Sequence, residues 1–442
     1  MIVMKFGGSC LGSKKDIEKT AAIIKRAKQP IVVLSAFKGI TDELIKQANN
    51  ALNGSYDITH IREFHYGVLA DLSIENKVMV EKRIGELVDE LNTTLRGISY
   101  LHELTPQSLD KVMSFGERLV IYPVAAYLRD FEIDAVPLSD AEAGIVTNDN
   151  FGNATILESS EVLVKQRVGE LSRKQVPIIT GFVGRTEEGR ITTLGRGGSD
   201  YTATFIAATL GCEMHLLKDV DGIMSADPKT VENARVVKNV NYSDALELAH
   251  YGSKVIYEKA IEPLIKAHAP LVIKNFDTPD IEGTRISEKE STDVVVTAVK
   301  NVAIVNVHGR MGMMRVFAEL VEALARKDVY PLLMTESSSQ GEISIVVDEK
   351  QASGIEKLVK KSNGKVEGAA IEARSGYGLV AVIGEGMKKR VGTAASVFDA
   401  LRDEKINIVA ISQSASERNI SVIVDAENVK RATKALHGKF IV

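Results

Sequence analysis

Short apolar runs alternate with longer helical patterns over the first two thirds of the chain, and this alternation limits the possible folds more than any other feature. Ile2–Phe6 precedes a helical pattern over residues 14–27, in which Ile17 and Ile24 share one face, and the run Pro30–Ser35 follows. Strand, helix and strand at this spacing predict a βαβ unit. The alternation returns in Val176–Gly181, Met214–Leu217, a helix around 243–252, and Leu271–Lys274. We therefore predict an α/β fold, with a largely parallel sheet sandwiched by helices over about 280 to 300 residues.

The C-terminal third contains an internal repeat with a constant offset of 77 residues and no gaps. The offset superposes identical residues of the two copies: Val305 on Val382, Ala323-Leu324 on Ala400-Leu401, and Ile343-Ser344 on Ile420-Ser421. Each copy has the pattern strand, helix, strand, strand, helix, which predicts two ferredoxin-like βαββαβ modules. We expect domains at residues 1–297, 298–372 and 373–442, and the two modules can interleave.

Composition and charge exclude several classes of function. The chain has 442 residues, 55 basic and 59 acidic side chains and a formal charge of −4, without a long Lys/Arg block, so we expect no nucleic-acid partner. The apolar runs fall short of the roughly 20 residues of a membrane span, and the N-terminus opens as a strand, so we expect a soluble, cytoplasmic protein. Only Cys10 and Cys212 occur, which excludes a disulfide framework and a cysteine metal cluster.

The segment Ile191–Asp200, with the sequence ITTLGRGGSD, predicts an anion site. It runs into a helix-like stretch that Gly211 closes. Its glycines let the backbone approach a ligand closely, and Ser199 or Asp200 could cap a helix whose positive end attracts phosphate or carboxylate. We expect the chemistry of the protein here.

A second phosphate site is predicted at Lys5-Phe6-Gly7-Gly8-Ser9, which ends the first strand. Open α/β sheets bind ligands at the carboxyl ends of their strands, and a lysine beside two glycines can neutralise phosphate oxygens. The alternative is a tight turn with a solvated lysine. No P-loop, dinucleotide or protein-kinase motif occurs, so a nucleotide would require another α/β kinase fold.

Two further segments are ambiguous. Lys218–Gly222 and Ser225–Lys229 follow an apolar run, and their carboxylates and lysines could order phosphates, magnesium or a neighbouring lysine. Two consecutive polar turns would explain them equally well. Ser114–Leu119 places a glycine beside an acid at a predicted helix start, where packing and capping are a sufficient explanation.

Taken together, these motifs occur in an order that resembles aspartokinases: KFGGS at 5–9, SAFKGIT at 35–41, FGER at 115–118, TGF at 180–182, GRGGSD at 195–200, DVDG at 219–222 and YGSKV at 251–255. The resemblance covers essentially the whole chain, because aspartokinases also carry a doubled ACT-type regulatory region after an amino-acid-kinase domain. It implies ATP-dependent phosphorylation of the β-carboxylate of L-aspartate, with ATP and Mg²⁺, on the route to lysine, threonine and methionine.

The resemblance also implies roles for individual residues. The expected catalytic residues are Lys5, Arg196 and Asp200. The expected aspartate-binding residues are Ser35, Thr41, Glu117, Phe182, Arg196 and Ser199. The expected nucleotide-binding residues are Lys5, Gly7, Gly8, Ser9, Lys218, Asp219, Met224, Lys229 and Lys254. Lys218, Met224 and Lys229 depart from the usual family residues, and Ile256-Tyr257-Glu258 stands where the family often has His-Pro.

Elementary chemistry agrees with these roles. A carboxylate acceptor with a pKa of about 4 is ionised at neutral pH and requires no general base. The obstacle is the repulsion between two anions, which positioning and gathered cations can overcome. Arg196 suits a substrate carboxylate, Glu117 suits the substrate ammonium group, and Asp200 would order Lys5 or the metal.

The repeat suggests regulation. In the proteins that the chain resembles, paired modules bind end-product amino acids, which implies threonine or lysine as effector near Glu336, Ser339, Gln413 and Asn419, and a homodimer or homotetramer formed through the modules. A repeat that only builds the dimer is the alternative. Two alternative functions also stay open: an amino acid kinase for acetylglutamate, glutamate or carbamate, and a catalytically silent amino-acid sensor.

Overall fold

The computed structural model describes the whole chain except residues 76, 253–254, 309–312, 327–328, 338–341, 362–369, 389 and 442. The strands are β1 Ile2–Phe6, β2 Pro30–Leu34, β3 Ala135–Leu138, β4 Val176–Thr180, β5 Val183–Arg185, β6 Ile191–Thr193, β7 Glu213–Lys218, β8 Asn239–Asn241, β9 Leu271–Asn275, β10 Thr284–Ser287, β11 Val295–His308, β12 Leu333–Ser337, β13 Glu342–Asp348, β14 Ala370–Ile383, β15 Ala410–Gln413 and β16 Asn419–Asp425. The helices are α1 Lys14–Arg26, α2 Ile40–Leu52, α3 Thr59–Leu72, α4 Lys77–Leu101, α5 Pro106–Asp130, α6 Asp140–Ala143, α7 Ser159–Val164, α8 Gly198–Leu210, α9 Tyr242–His250, α10 Glu258–Ala267, α11 Met313–Ala325, α12 Glu349–Lys361, α13 Thr393–Asp403 and α14 Val429–Phe440. Within the described residues, no helix is long and apolar enough to cross a membrane.

The chain divides into two compact units. The first comprises residues 1–223 and 255–289, and the second comprises residues 224–254 and 290–442. In the first unit, the strands lie in the order β3, β4, β2, β1, β7, β9, β10, and all pairs are parallel except β9 with β10. The predicted largely parallel sheet is therefore confirmed.

Local sequence explains the first βαβ unit. The Ser13 side chain accepts a hydrogen bond from Asp16 N and caps α1, and Ile17 and Ile24 are buried on its inner face. All five residues of β2 are buried, as expected for a strand whose sheet is covered on both faces.

The parallel register brings several loops to one edge of the sheet. Phe6 lies opposite Leu34 and Leu217, and Leu34 lies opposite Thr180. The segments that follow β1, β2, β4 and β7 therefore leave the sheet side by side at its carboxyl edge, where ligands bind in open α/β sheets.

Helix α5 differs from its prediction. Ser114–Leu119 lies in the middle of this helix, so the predicted helix start at that segment is wrong. The helix begins at Pro106 after the Thr105 cap, whose side chain accepts a hydrogen bond from Ser108 N. An internal proline at 123 does not end it, and the long buried face of α5 crosses the first unit.

The second unit contains an antiparallel six-stranded sheet with the order β12, β13, β11, β14, β16, β15. The 77-residue offset relates β13 to β16 and the start of β12 to the start of β15, so the repeat is a structural repeat. Each copy has the predicted order of strand, helix, strand, strand, helix.

Two long central strands link the copies. Val302–His308 of β11 pairs with β13, while Val295–Val299 of the same strand pairs with Leu379–Ile383 of β14. Val294 and Val296 accordingly belong to the apolar core of the second copy. A segment that precedes the first copy thus completes the second copy, while the boundaries at 298 and 373 stay predictions. Helix α9 lies in the second unit, although its pattern placed it with the parallel sheet.

Candidate active site

Two lysines and one aspartate form a buried ionic cluster at the carboxyl edge of the first sheet. Lys5 Nζ lies 2.7 Å from Asp200 Oδ1, and Lys218 Nζ lies 3.2 Å from Asp200 Oδ2. Lys218 Nζ also donates to the carbonyl oxygen of Val255. Burial opposes the ionisation of Asp200, but the two ammonium groups outweigh it and hold the pKa of this carboxyl below its ordinary value. The cluster therefore carries one net positive charge, which favours an anionic ligand.

The glycine turn after β1 lies against the loop after β2. Gly7, Gly8 and Ser9 follow Phe6, the last residue of β1, and Gly8 opens a short 3₁₀ turn. A Cβ atom on Gly8 would lie 2.9 Å from the carbonyl oxygen of Ala36, so only glycine allows this approach. The loop after β1 can therefore present backbone N–H groups beside the ionic cluster.

Glu117 on α5 reaches the loop after β2. Its Oε1 accepts a hydrogen bond from Ala36 N at 3.2 Å, whereas Oε2 has no hydrogen-bond partner within the described residues. Burial raises the pKa of this carboxyl to about 8. Ser35 directly follows β2 and Thr41 lies in the first turn of α2, on either side of this contact. A Cβ atom on Gly116 would lie 3.7 Å from Thr41 Oγ1, so Thr41 lies beside α5 next to Glu117, and Ser35 adjoins the Ala36 contact in the chain.

The start of α8 lacks the side-chain cap that the sequence predicts. Its N-cap is Gly197, in the left-handed conformation, and no side chain caps the helix, so the predicted capping by Ser199 or Asp200 is wrong. The Asp200 carboxylate instead pairs with the two lysines. Because the first N–H groups of a helix lack partners within it, an uncapped start favours an anion. Arg196 is exposed beside this start and pairs with no carboxylate in the part of the chain that the structure describes.

The loop after β4 packs on the same helix start. A Cβ atom on Gly181 would lie 2.6 Å from Ser199 Cβ, and one on Gly198 would lie 2.8 Å from the Phe182 ring. Phe182 has a positive φ of 67° and donates its N–H to Thr202 Oγ1 at 3.2 Å. These contacts place Phe182 and Ser199 side by side, next to the glycine loop of Arg196.

Several residues around the glycine loop were not predicted from the sequence. The Tyr257 ring packs directly against Gly197, and Lys259 Nζ donates to Asn153 Oδ1 at 3.0 Å. Asn153 in turn lies against Gly195. The departure from the family pattern at residues 256–258 was a signal for Tyr257. No local pattern points to Lys259 or Asn153, because they meet across about a hundred residues of sequence.

For four of the predicted nucleotide-binding residues, the described part of the structure gives no contact with the ionic cluster or the glycine turns. Asp219 is exposed and directly follows β7 in the first unit. Met224 and Lys229 belong to the second unit, and Lys254 lies outside the described residues. Their assignment to the nucleotide stays a prediction.

The predicted effector residues lie in the second unit. Glu336 on β12 and Gln413 at the end of β15 are exposed, while Asn419 at the start of β16 is buried. Asn419 Nδ2 donates to Glu247 Oε2. Ser339 lies outside the described residues.

The arrangement suits the transfer of an anionic group. Cations, glycine turns and a helix start converge at one sheet edge, and Arg196 and Glu117 provide opposite charges for a zwitterionic substrate. The described part of the chain contains no group of three or more His, Cys, Asp or Glu side chains positioned to hold a metal ion.

Comparison with known proteins identifies the families to which the two parts of the chain are similar. The amino acid kinase family matches residues 1–275, and an ACT domain matches residues 380–440. The match over more than half of the chain defines the class of the protein as an amino acid kinase.

Individual relatives narrow that class. The chain is 31% identical over 467 residues to the chloroplastic aspartokinase 2 of Arabidopsis thaliana, covering 99% of this chain and 84% of the relative. The structure of E. coli aspartokinase III with aspartate and ADP has a TM-score of 0.83 at 24% identity over both whole chains, and its complex with lysine and aspartate has a TM-score of 0.80 at 24% identity over both whole chains. The chain belongs to the aspartokinases, the branch of the amino acid kinase family that phosphorylates aspartate with ATP. The predicted family and fold class are confirmed.

Proposed function

We propose that this site transfers the γ-phosphoryl group of ATP to the β-carboxylate of L-aspartate and releases 4-phospho-L-aspartate and ADP. The observation that carries the proposal is the cluster of Lys5, Asp200 and Lys218, because its excess positive charge lies at the carboxyl edge beside the start of α8. No side chain has to remove a proton from the acceptor, since an aspartate side chain is already ionised.

Aspartate binding is assigned to two groups of residues on either side of the cluster. Arg196 binds one substrate carboxylate through its planar guanidinium group, with Ser199 and Phe182 beside it. Ser35, Thr41 and Glu117 bind the other end of the substrate, where the buried Glu117 carboxylate accepts hydrogen bonds from the ammonium group. The unpartnered Glu117 Oε2 is suited to this contact.

Phosphate binding is assigned to the turn after β1 and the cluster. The N–H groups of Gly7, Gly8 and Ser9 surround the phosphate oxygens, and Lys5 lies between them and the acceptor. Lys5 and Lys218 stabilise the negative charge of the transferred group, while Asp200 holds both ammonium groups in place.

Magnesium enters as part of the substrate MgATP. Mg²⁺ prefers phosphate oxygens with one or two carboxylates, and Asp219 provides an exposed carboxylate after β7. When bound, the ion neutralises phosphate charge. The roles of Met224, Lys229 and Lys254 toward the nucleotide stay predictions from the family resemblance.

We also propose that the second unit regulates the first and that the repeat mediates homodimer or homotetramer formation. The T-state structure of E. coli aspartokinase III holds lysine together with aspartate, and lysine or threonine is the proposed effector of this chain near Glu336, Ser339, Gln413 and Asn419. Isothermal titration with lysine and with threonine tests this regulation. If neither amino acid gives heat of binding, the proposed effector is refuted, while the proposed kinase activity is unaffected by that result. The cytoplasmic location stays a prediction.

The direct test is ATP-dependent formation of aspartyl hydroxamate from L-aspartate, Mg²⁺ and hydroxylamine. Arg196→Ala should raise the KM for aspartate by about 100-fold, because it removes a charge-assisted contact, and Arg196→Lys should recover only part of this loss. Glutamate, acetylglutamate and carbamate serve as alternative acceptors. Hydroxamate from one of these, with none from aspartate, would refute the proposed substrate.

A further inference from the structure

Asp110 is a fully buried carboxylate that the proposed site does not include. It lies on α5, seven residues before Glu117. Seven residues are about two turns of an α-helix, so both carboxylates lie on one face, about 10 Å apart along the axis. Glu117 contacts the loop after β2, and Asp110 contacts a different part of the chain.

Three hydrogen bonds connect Asp110 to segments beside the glycine loop. Thr193 N donates to Asp110 Oδ2 at 2.8 Å, and Thr193 Oγ1 donates to Oδ1 at 2.7 Å. Gly152 N also donates to Oδ2, at 2.9 Å. Thr193 ends β6 and is three residues before Arg196. Asp110 therefore holds the end of the strand that leads into the Arg196 loop.

The loop has few means of its own to hold Arg196 in place. Gly195 and Gly197 both adopt positive φ angles, and Gly198 N donates to Gly195 O at 3.0 Å, which closes a tight turn around Arg196. Arg196 itself is exposed. The position of its guanidinium group therefore depends on where the two ends of the turn are anchored.

We infer that Asp110 is a positioning residue for aspartate binding, because it sets the place of Arg196 relative to Glu117. Both anchors lie on α5, so this helix fixes the separation of the two charged groups that bind the substrate. The inference rests on the proposed binding of aspartate by Arg196 and Glu117. Nucleotide binding uses the loop after β1, which Asp110 does not contact through any of these bonds.

The test compares Asp110→Ala with Asp110→Asn. Asp110→Ala should raise the KM for aspartate by about tenfold or more, since outer contacts that orient a binding group are worth about 10- to 100-fold, and leave the KM for ATP within about twofold. Asp110→Asn should restore most of the affinity, because its carbonyl can accept from both backbone N–H groups and its amide can donate to Thr193 Oγ1.

A second measurement tests, in the absence of substrate, how firmly the Arg196 loop is held. Trypsin cleaves after exposed arginines, and cleavage after Arg196 should be about tenfold faster in Asp110→Ala than in the parent protein, because the loop opens more often. Leu95→Ala, a truncation in the core of α4, is the control for a general loss of stability. An unchanged KM for aspartate in Asp110→Ala, or an equal increase in Leu95→Ala, would overturn the inference. Failure of the parent protein to form hydroxamate would refute the proposed function instead, and the cleavage rates would still decide whether Asp110 anchors the loop.

Discussion

The two units each contain a buried ionic cluster, and the clusters differ in how their charges are balanced. In the first unit, Asp200 lies between Lys5 and Lys218, so one positive charge is in excess. In the second unit, Arg418 lies 2.9 Å from Asp244 and 3.1 Å from Glu385, so one negative charge is in excess. The same kind of interaction therefore leaves opposite charges in the two units.

The surroundings of the clusters explain the difference. Backbone and amide N–H groups of the protein satisfy the acidic cluster: Asn241 Nδ2 donates to Glu385 Oε2 at 2.7 Å, and Glu385 N donates to Asp244 Oδ2 at 3.0 Å. The basic cluster instead lies at a sheet edge beside glycine turns and an uncapped helix start. A cluster that the protein itself completes stabilises structure, whereas a cluster that only an anion can complete binds a ligand.

The largest expected effect is on the basic cluster. Lys5→Met should lower kcat by about 10³-fold, the usual loss when a group that stabilises transition-state charge is removed. Lys218→Met should lower it by about tenfold, because its ammonium group also donates to the Val255 carbonyl, whereas Lys5 Nζ lies 3.7 Å from a Cβ atom built on Gly7 in the glycine turn. Initial rates at saturating aspartate and ATP measure both. Equal losses in the two variants would show that the lysines act as one unit.

A substitution in the acidic cluster should lower the stability of the second unit and leave the catalytic rate nearly unchanged. Arg418→Met leaves the buried Asp244 and the half-buried Glu385 without their cation and should cost about 2 kcal/mol in the free energy of unfolding of the second unit, with kcat within about twofold. Denaturant unfolding, with hydrogen exchange of β16 and α9, measures the loss. The matched control is Arg402→Met, which removes an exposed arginine that pairs with Asp399 and Asp403 and should leave the free energy of unfolding nearly unchanged, because water screens an exposed ion pair. Equal costs would mean that burial adds nothing to the Arg418 cluster.

A third buried acid, Glu117, sharpens the comparison, because it forms no ion pair within the described residues and the attraction of Lys5 offsets only part of the effect of burial. Burial raises its pKa from 4.5 to about 8, so the free enzyme is largely protonated there at neutral pH. The substrate ammonium group binds the ionised form, so the KM for aspartate should fall by up to tenfold per pH unit as pH rises toward about 8. Initial rates over that range measure it, and Glu117→Gln should remove the dependence.

Unfolding gives an independent check on Glu117. The raised pKa means that the folded protein keeps a proton that the unfolded chain loses above pH 4.5, so the free energy of unfolding should fall as pH rises from 4.5 to about 8. Glu117→Gln should flatten this slope. A slope that is the same in both proteins would assign the pH dependence to other groups.

Much of the architecture could be predicted from local patterns. Apolar runs with period two, and helical patterns such as the one that buries Ile17 and Ile24, depend on neighbouring residues only. The strands, the helices and the 77-residue repeat could therefore be predicted from the sequence. The glycine motifs were readable for the same reason: Gly211, for example, ends α8 in the left-handed conformation as expected. The cap of α8 could not be predicted in this way. The Asp200 carboxylate pairs with Lys5 and Lys218 on β1 and β7 and therefore does not accept a hydrogen bond from the N–H groups at the start of α8.

By itself, the sequence determined the fold class, the motifs of an aspartokinase and the residue types that a phosphoryl transfer requires. Only the tertiary structure decided that Lys218 shares Asp200 with Lys5, that Val294 and Val296 complete the core of the second copy, and that Asp110 and Glu117 hold two loops from one helix. The physical reason is the separation along the chain between the residues that are in contact. Periodicity and turns arise from contacts a few residues apart, whereas these contacts join residues from 18 (Lys218 with Asp200) to 195 (Lys5 with Asp200) positions apart, and their energies depend on burial that no local pattern reveals.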